Sequence, residues 1–428
     1  MIGCVGTGMA TEGAVGSGWL MGRTTQGESG FLAWRDRALT QVQDPPRVDR
    51  EAWRGTDLQP LLNTPFRLAQ RKDLEALRVG LTTELLPELP CHVALVNGHI
   101  LDHGELPPGV TLGDWQDLSP IEREGLGRGL PTDSLTALNQ ATLPGITVVR
   151  VVGNPIAPLH LMHQSQGVDH PVLACPRWVV VVAPGTHVTL VEEYVSTGTG
   201  WTNGVTEIYL GQGSHLEHYL VQRESLQSCH LLRLAVHQAQ DSHYTLRSVS
   251  VGAGWSRCEP LIYQEGTGAF TQLRGLSLVG GRQHTDMHSV ITHDHPQGTS
   301  RQLHKCVVAN QGQAVFQGMV RVAAIAQLTD AGQLNQNLLL SKQARVDTRP
   351  QLAIQADNVK CTHGATVSDL DPEALFYLQS RGVDRVAARL LLVTGFTQEL
   401  LREIPFPTLR HRCQVWLEKL TECPEVTR

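Results

Sequence analysis

Gly185-Thr186-His187-Val188-Thr189-Leu190 is echoed by Gly213-Ser214-His215-Leu216, by Asp241-Ser242-His243-Tyr244-Thr245-Leu246 and by Gly268-Ala269-Phe270-Thr271-Gln272-Leu273. Each unit is a turn residue, a small residue and an alternating strand. The units recur about every 28 residues, a period at which internal similarity signals solenoids, propellers or arrays. Each coil of a β-solenoid must stop, bend and stack on the one before it, so this spacing is what such a fold demands. An antiparallel sandwich with similar loops would give a related pattern, and the spacing alone leaves that alternative open. Looser echoes follow at Gln313-Ala314 and Gln343-Ala344.

Outward from the repeat, short runs rich in Val, Thr, Leu and His persist from about Ile146 to Cys361, with almost no helical periodicity. Upstream, Phe31, Leu32, Trp34 and Leu39 fit short helices broken at Pro45-Pro46. The stretch CHVALVNGHILDH from Cys91 alternates about Asn97-Gly98, which predicts a hairpin, and a helix is expected over Ser134 to Thr142. Downstream, Pro372 suits a helix start, and Ala374, Leu375, Tyr377 and Leu378 continue an apolar face to Gly382. A second helix is expected from Val383 to about Ile404, with Val386, Leu390, Val393, Phe396 and Leu400 on one stripe, and a third around Val415 to Leu420. That stripe serves either as core or as a docking face for another subunit. The expected organisation is a mobile tail over residues 1–30, a mixed helical domain over 31–145, the repetitive β core over 146–366 and a helical domain over 367–428.

Composition narrows the function. The length, 428 residues, implies two or three folding units, and an apolar share of 41% with only 5% aromatics favours thin repeated layers over one thick core. A net charge of -6 argues against a broad polyanion-binding face, so nucleic acid is not an expected partner. No apolar run reaches the roughly 18 residues a membrane span needs, and a soluble protein is expected. The first 30 residues lack the basic start and apolar block of a secretory signal. The nine cysteines, Cys4, Cys91, Cys175, Cys229, Cys258, Cys306, Cys361, Cys413 and Cys423, are widely spaced and never form CxxC. Reduced thiols in a cytosol-like compartment are therefore expected, and a disulfide framework or zinc ribbon is disfavoured.

No GxxxxGK[ST], completed GxGxxG, GxSxG or HExxH occurs, which removes the commonest nucleotide, serine-hydrolase and zincin readings. Two constellations remain. In His284-Thr285-Asp286-Met287-His288, followed by His293-Asp294-His295, an extended backbone would put His284, Asp286 and His288 on one face, a permissive set for a divalent metal. A solvated strand face would look the same. In Asp357-Asn358-Val359-Lys360-Cys361-Thr362-His363-Gly364-Ala365-Thr366, Cys361 and His363 share a strand face and offer a soft thiolate beside an imidazole. Two ligands make an incomplete site, so this is either a core cysteine with a hydrogen-bonded histidine or a site finished by a second chain.

The run NVKCTHGATV, followed by LFYLQSRGV, resembles the signature of the SufD family, SufB-related subunits of the SUF iron-sulfur assembly machinery. Ser300-Arg301-Gln302-Leu303-His304-Lys305, Ala314-Val315-Phe316-Gln317-Gly318, Asn335-Gln336-Asn337-Leu338-Leu339-Leu340 and Val346-Asp347-Thr348-Arg349-Pro350-Gln351-Leu352 are similar to that family in order and spacing, and so is Glu51-Ala52-Trp53-Arg54-Gly55-Thr56. SufB-like chains carry a Glu directly after the histidine and a sulfur-accepting Cys on the preceding strand. Here Gly364 follows His363 and Ala344 to Arg349 holds no Cys, which favours the SufD side. The resemblance implies a mainly β protein: a right-handed parallel β-helix core with a mixed or helical N-terminal domain and a C-terminal helical domain. It implies a scaffold subunit that is not an enzyme on its own, pairs with SufB and binds the SufC ATPase through the C-terminal helices, with a homodimer possible in isolation. It also implies a cytoplasmic or plastid-stromal location, and iron or a nascent iron-sulfur cluster held between His363, with Cys361 beside it, and SufB. Reduced flavin is linked to the complex and not to a tight site on the isolated chain.

Two rival readings carry their own signatures. A β-helix protein binding or cleaving polysaccharide would line a groove with carboxylates and aromatic platforms, and the residues available are Glu192, Glu193 and Glu217 with Trp178, Trp201 and Trp255. A self-sufficient metalloprotein would use the His284 to His295 cluster.

Overall fold

The repeated units fall on one another in the folded chain. In the computed structural model, which describes residues 20, 23, 27–43, 46–69, 85–167 and 170–422, His187 pairs with His215, His215 with His243 and His243 with Phe270 on parallel strands. The imidazoles stack at 4.2 and 4.1 Å between ring centroids, so the sequence period is the rung spacing of a ladder.

Every coil gives one strand to each of two parallel sheets. The first contains Leu159–Gln166, His187–Thr197, His215–Gln222, His243–Ser250, Phe270–Val279, Thr299–Val308, Asp330–Leu339 and Lys360–Asp369. The second contains Arg177–Val182, Gly200–Leu210, Cys229–Gln238, Trp255–Gln264, His284–His293, Gln313–Val322 and Arg345–Ile354. The result is a parallel β-solenoid of about 8 turns, and the sandwich alternative falls because pairing within this stack is parallel. The echoes at Gln313-Ala314 and Gln343-Ala344 are not rungs of the repeated units. Gln313 opens a strand of the second sheet and pairs with Arg345, because a longer turn leaves Gln343 outside the strand.

The two ends of the stack differ. At the first end, Asn97 and Gly98 adopt φ of 51° and 85°, the left-handed geometry of a tight hairpin, between His92–Val96 and His99–His103. His92–Val96 pairs parallel with Leu159–Gln166, and Val110–Gly113 closes the second sheet antiparallel to Thr147–Val151, so the sheets already begin upstream of residue 146. At the other end, among the described residues, Arg345–Ile354 and Lys360–Asp369 each have a strand on one side only. Pro350, in the middle of the former, has no backbone N–H to offer a newcomer.

Helices cover the outer faces. Ser29–Leu39 and Ser134–Thr142, the latter started by Asp133 accepting from Leu135 and Thr136 amides, press Phe31, Trp34, Leu135 and Leu138 towards Trp201, Leu231 and Trp255 of the second sheet. On the first sheet sit Arg385–Leu401 and Pro407–Glu422, the latter beginning well before Val415, while Pro372–Ser380 packs against Arg385–Leu401 with no buried residue of its own. Val393, Leu400, Leu409 and Leu417 pack with Leu276, Leu278, Val307 and Leu338, so the predicted apolar stripe is partly core, while Val386 stays exposed. Of the expected tail over 1–30, all but residues 20, 23 and 27–30 lies outside the described residues, as does Pro45. No helix among them is long and apolar enough to cross a membrane.

Candidate functional site

Cys361 and His363 lie on the last strand of the first sheet, in register with Ala331 and Gln333. Alternation turns both side chains toward the inside of the coil, and Cys361 packs with Val320, Val322, Ala326 and Ala331. In an internal coil that position would be sealed by the next rung. Among the described residues no coil follows, so Cys361 is half-buried and His363 is exposed at the open mouth of the stack. Among the described residues no hydrogen bond holds the His363 ring. Burial pushes the Cys361 thiol up, the nearby Asp330 charge adds to it, and a backbone contact at Ala331 opposes it. The thiol thus stays protonated near neutral pH, and a bound cation would be needed to draw off its proton.

The second constellation is occupied by the chain itself. His284, Asp286 and His288 do share the outer face of the second sheet, but residues 49–57 lie across it. Thr56 Oγ1 donates to Asp286 Oδ2 at 2.6 Å, and His284 Nε2 lies 3.2 Å from Thr56 Oγ1. Asp286 also pairs with buried Arg257, which pairs with Glu259, which in turn holds Arg233 at 2.8 Å. Burial pulls the His284 and His288 imidazoles down. His293 faces inward and meets Ser300 Oγ at 2.9 Å, so the sheet splits the cluster. Among the described residues no three His, Cys, Asp or Glu side chains converge to hold a metal ion.

Comparison with known proteins bears on the first constellation. A family model described as SUF system FeS cluster assembly, SufBD core domain, matches residues 162–396, more than half of the chain. The chain belongs to the SufBD family. An iron-sulfur cluster assembly SufBD family protein of Synechocystis is 36% identical over 396 residues, 87% of each chain. The chloroplastic protein ABCI7 of Arabidopsis thaliana is 37% identical over 72% of this chain and 68% of its own. The iron-sulfur cluster assembly protein SufD of Escherichia coli is 30% identical over 83% of this chain and 84% of its own. The resemblance to SufD-type subunits is thereby borne out, and the role of this SufBD chain lies in iron-sulfur cluster assembly by the SUF system.

The SufBD core match contains Cys361 and His363 and ends in the helix Arg385–Leu401. It also contains the carboxylates of the carbohydrate reading, which the fold withdraws from any groove. Glu192 is fully buried inside the coil, accepting from Tyr194 Oη and Thr206 Oγ1 at 2.6 Å each and lying 3.1 Å from His218 Nε2. Glu193 is buried against His160 and Arg223, Glu217 pairs with Arg247, and Trp178, Trp201 and Trp255 are buried. All seven described cysteines are free thiols, as the spacing predicts.

Sequence reasoning passed over Gln302 and Gln333, the two inward residues directly beneath His363 on successive rungs. A signal was present: Ser300-Arg301-Gln302, Ala331-Gly332-Gln333 and Cys361-Thr362-His363 occupy equivalent places, two residues into the inner face.

Proposed function

We propose that this chain is a non-catalytic scaffold subunit that pairs with SufB through the open end of its solenoid, presenting His363 as one ligand of an assembly site whose remaining ligands belong to SufB. The observation that carries this reading is the position of His363: an exposed imidazole on the terminal strand, beside unpaired edges about ten residues long. An unpaired edge is a ready template for another chain, because its backbone donors and acceptors are unsatisfied. A single imidazole with a half-buried thiol neighbour cannot complete a coordination sphere, but it can share one with thiolates from a partner.

In this reading iron and sulfide are cargo assembled at the junction, and reduced flavin acts on the assembled complex. SufC docks on the C-terminal helices, where Phe376, Tyr377, Val386 and Leu391 stay exposed beside the packed stripe. ATP-driven pairing of two SufC subunits strains the SufB junction and opens the site. A second copy of this chain occupies the same edge when SufB is absent. The complex works in the cytoplasm or plastid stroma, in keeping with the bacterial and chloroplastic relatives. Replacing His363 by Ala leaves the complex with SufB and SufC intact and abolishes cluster formation, measured by the visible absorbance of the reconstituted complex. An unchanged cluster yield overturns the proposal.

A further inference from the structure

Gln302, Gln333 and His363 stand in one inward column on three successive rungs of the first sheet. At its base, Gln302 exchanges hydrogen bonds with Ser289 of the opposite sheet, donating through Nε2 at 2.8 Å and accepting at 3.2 Å. Gln302 Oε1 also accepts from Gln333 Nε2 at 2.8 Å. With the Gln302 oxygen on this side, the Gln333 amide presents its nitrogen to it. Gln333 Oε1 is then turned away from Gln302, and it is buried without a donor. A buried amide oxygen left without a donor is destabilising and calls for a partner. The next residue along the column is His363, whose strand lies one spacing of about 4.8 Å further along the sheet and whose ring makes no hydrogen bond among the described residues.

The neighbourhood is shaped around this amide. Gly318 faces it from the second sheet, and a Cβ there would lie 2.2 Å from Gln333 Nε2. The other polar groups of the layer are committed elsewhere: Asn335 Nδ2 donates to His304 O at 3.0 Å and Asn337 Nδ2 to Thr366 O at 2.9 Å. Asn337 Oδ1 also lacks a donor, but the rung beyond it carries Val367, which has no side-chain N–H to give.

We propose that Gln333 is a positioning residue for His363: its unpartnered Oε1 takes the N–H of one ring nitrogen when the imidazole turns into the column, and thereby points the lone pair of the other out of the open end. The inference rests on the reading of His363 as a ligand at the junction. An acceptor behind a ligating imidazole selects the tautomer, fixes the ring plane and raises the basicity of the outward nitrogen.

The test uses the full chain labelled with nitrogen-15 histidine, the His363 resonances being those lost in His363→Asn. Wild type is expected to hold one dominant tautomer. Gln333→Met removes the acceptor at similar volume, and Gly318→Ala keeps Gln333 but displaces its amide. Each should relax His363 toward the mixed tautomers of free imidazole, and Gln333→Glu, which keeps an acceptor, should retain the bias. A dominant tautomer that survives in either folded variant overturns the inference. In the complex with SufB and SufC, Gln333→Met should lower cluster yield about 10-fold without the complete loss expected of His363→Ala. If His363→Ala leaves the yield unchanged, the junction reading fails, while the tautomer of the isolated chain still decides whether Gln333 holds the ring.

Discussion

Asp286 separates a structural from a metal-binding role for the histidine-rich face, and its replacement by Ala has a calculable effect. Its side chain and that of Arg257 are both fully buried and paired, and burial pulls the Arg257 guanidinium down while Asp286 and Glu259 more than offset it, leaving the net direction upward. Removing one partner of a buried pair costs about 3–5 kcal/mol. Glu259 remains beside Arg257 but is shared with Arg233, which places the expected loss near the lower end, about 3 kcal/mol. The Thr56 hydrogen bond goes as well, so residues 49–57 should loosen before the trunk does. Trp53 reports on this directly, being stacked on Trp255 at 6.2 Å and lying over Arg257 at 4.3 Å. Urea denaturation followed by tryptophan fluorescence should show an early phase in Asp286→Ala, with faster tryptic cleavage after Arg54. A loss below about 1 kcal/mol with unchanged cleavage, or a drop in bound metal in place of a drop in stability, would refute the reasoning.

Two further predictions concern proton-linked behaviour. Burial holds His163, His293 and His304 down at about 4, against about 6.5 in the unfolded chain. The unfolded state therefore binds more protons below pH 6.5, and stability falls as pH drops from about 6.5 to about 4, by up to about 1.4 kcal/mol per pH unit for each imidazole. Denaturation midpoints across this window should show that slope reduced by one proton in His304→Gln, and an identical slope in that variant would contradict the assignment. Cys361, whose thiol is pushed up, should alkylate at pH 7 more slowly than the same cysteine in urea, with the rate climbing on the alkaline side. Peptide mapping by mass spectrometry reads this out, and faster reaction in the native chain would count against it. Cys175, Cys229, Cys306 and Cys413, buried and raised to about 12, should react only on unfolding.

The solenoid was legible because its period is written in residues that must recur: a turn at each bend and an alternating strand after it. Asn97-Gly98 and Ser134–Thr142 were legible for local reasons, left-handed turn geometry and an Asp133 cap. The shared face of Cys361 and His363 follows from strand alternation alone. The exposure of that face does not, because Lys360–Asp369 reads like any inner strand until one knows that nothing stacks beyond it. Likewise, alternation placed His284, Asp286 and His288 together, but the partner that covers them, Thr56, is 230 residues from Asp286 in sequence. Gln333 looked like an ordinary polar strand residue, because its equivalence to Gln302 and His363 is a signal only once the rungs are aligned. Glu192 and Glu193, adjacent in sequence, resemble a solvated pair, yet one faces the lumen and the other the helices, each matched to its own histidine.

Pro350 makes the two unfinished edges unequal. A strand approaching Arg345–Ile354 meets a break in the row of donors at its centre, whereas Lys360–Asp369 offers an unbroken row with Gly364 in the middle. Extension of the stack by a foreign strand is thus steered to one side of the trunk, and that side carries the imidazole. The same proline that guards against indiscriminate fibre growth helps to decide which face of the molecule a newcomer meets first.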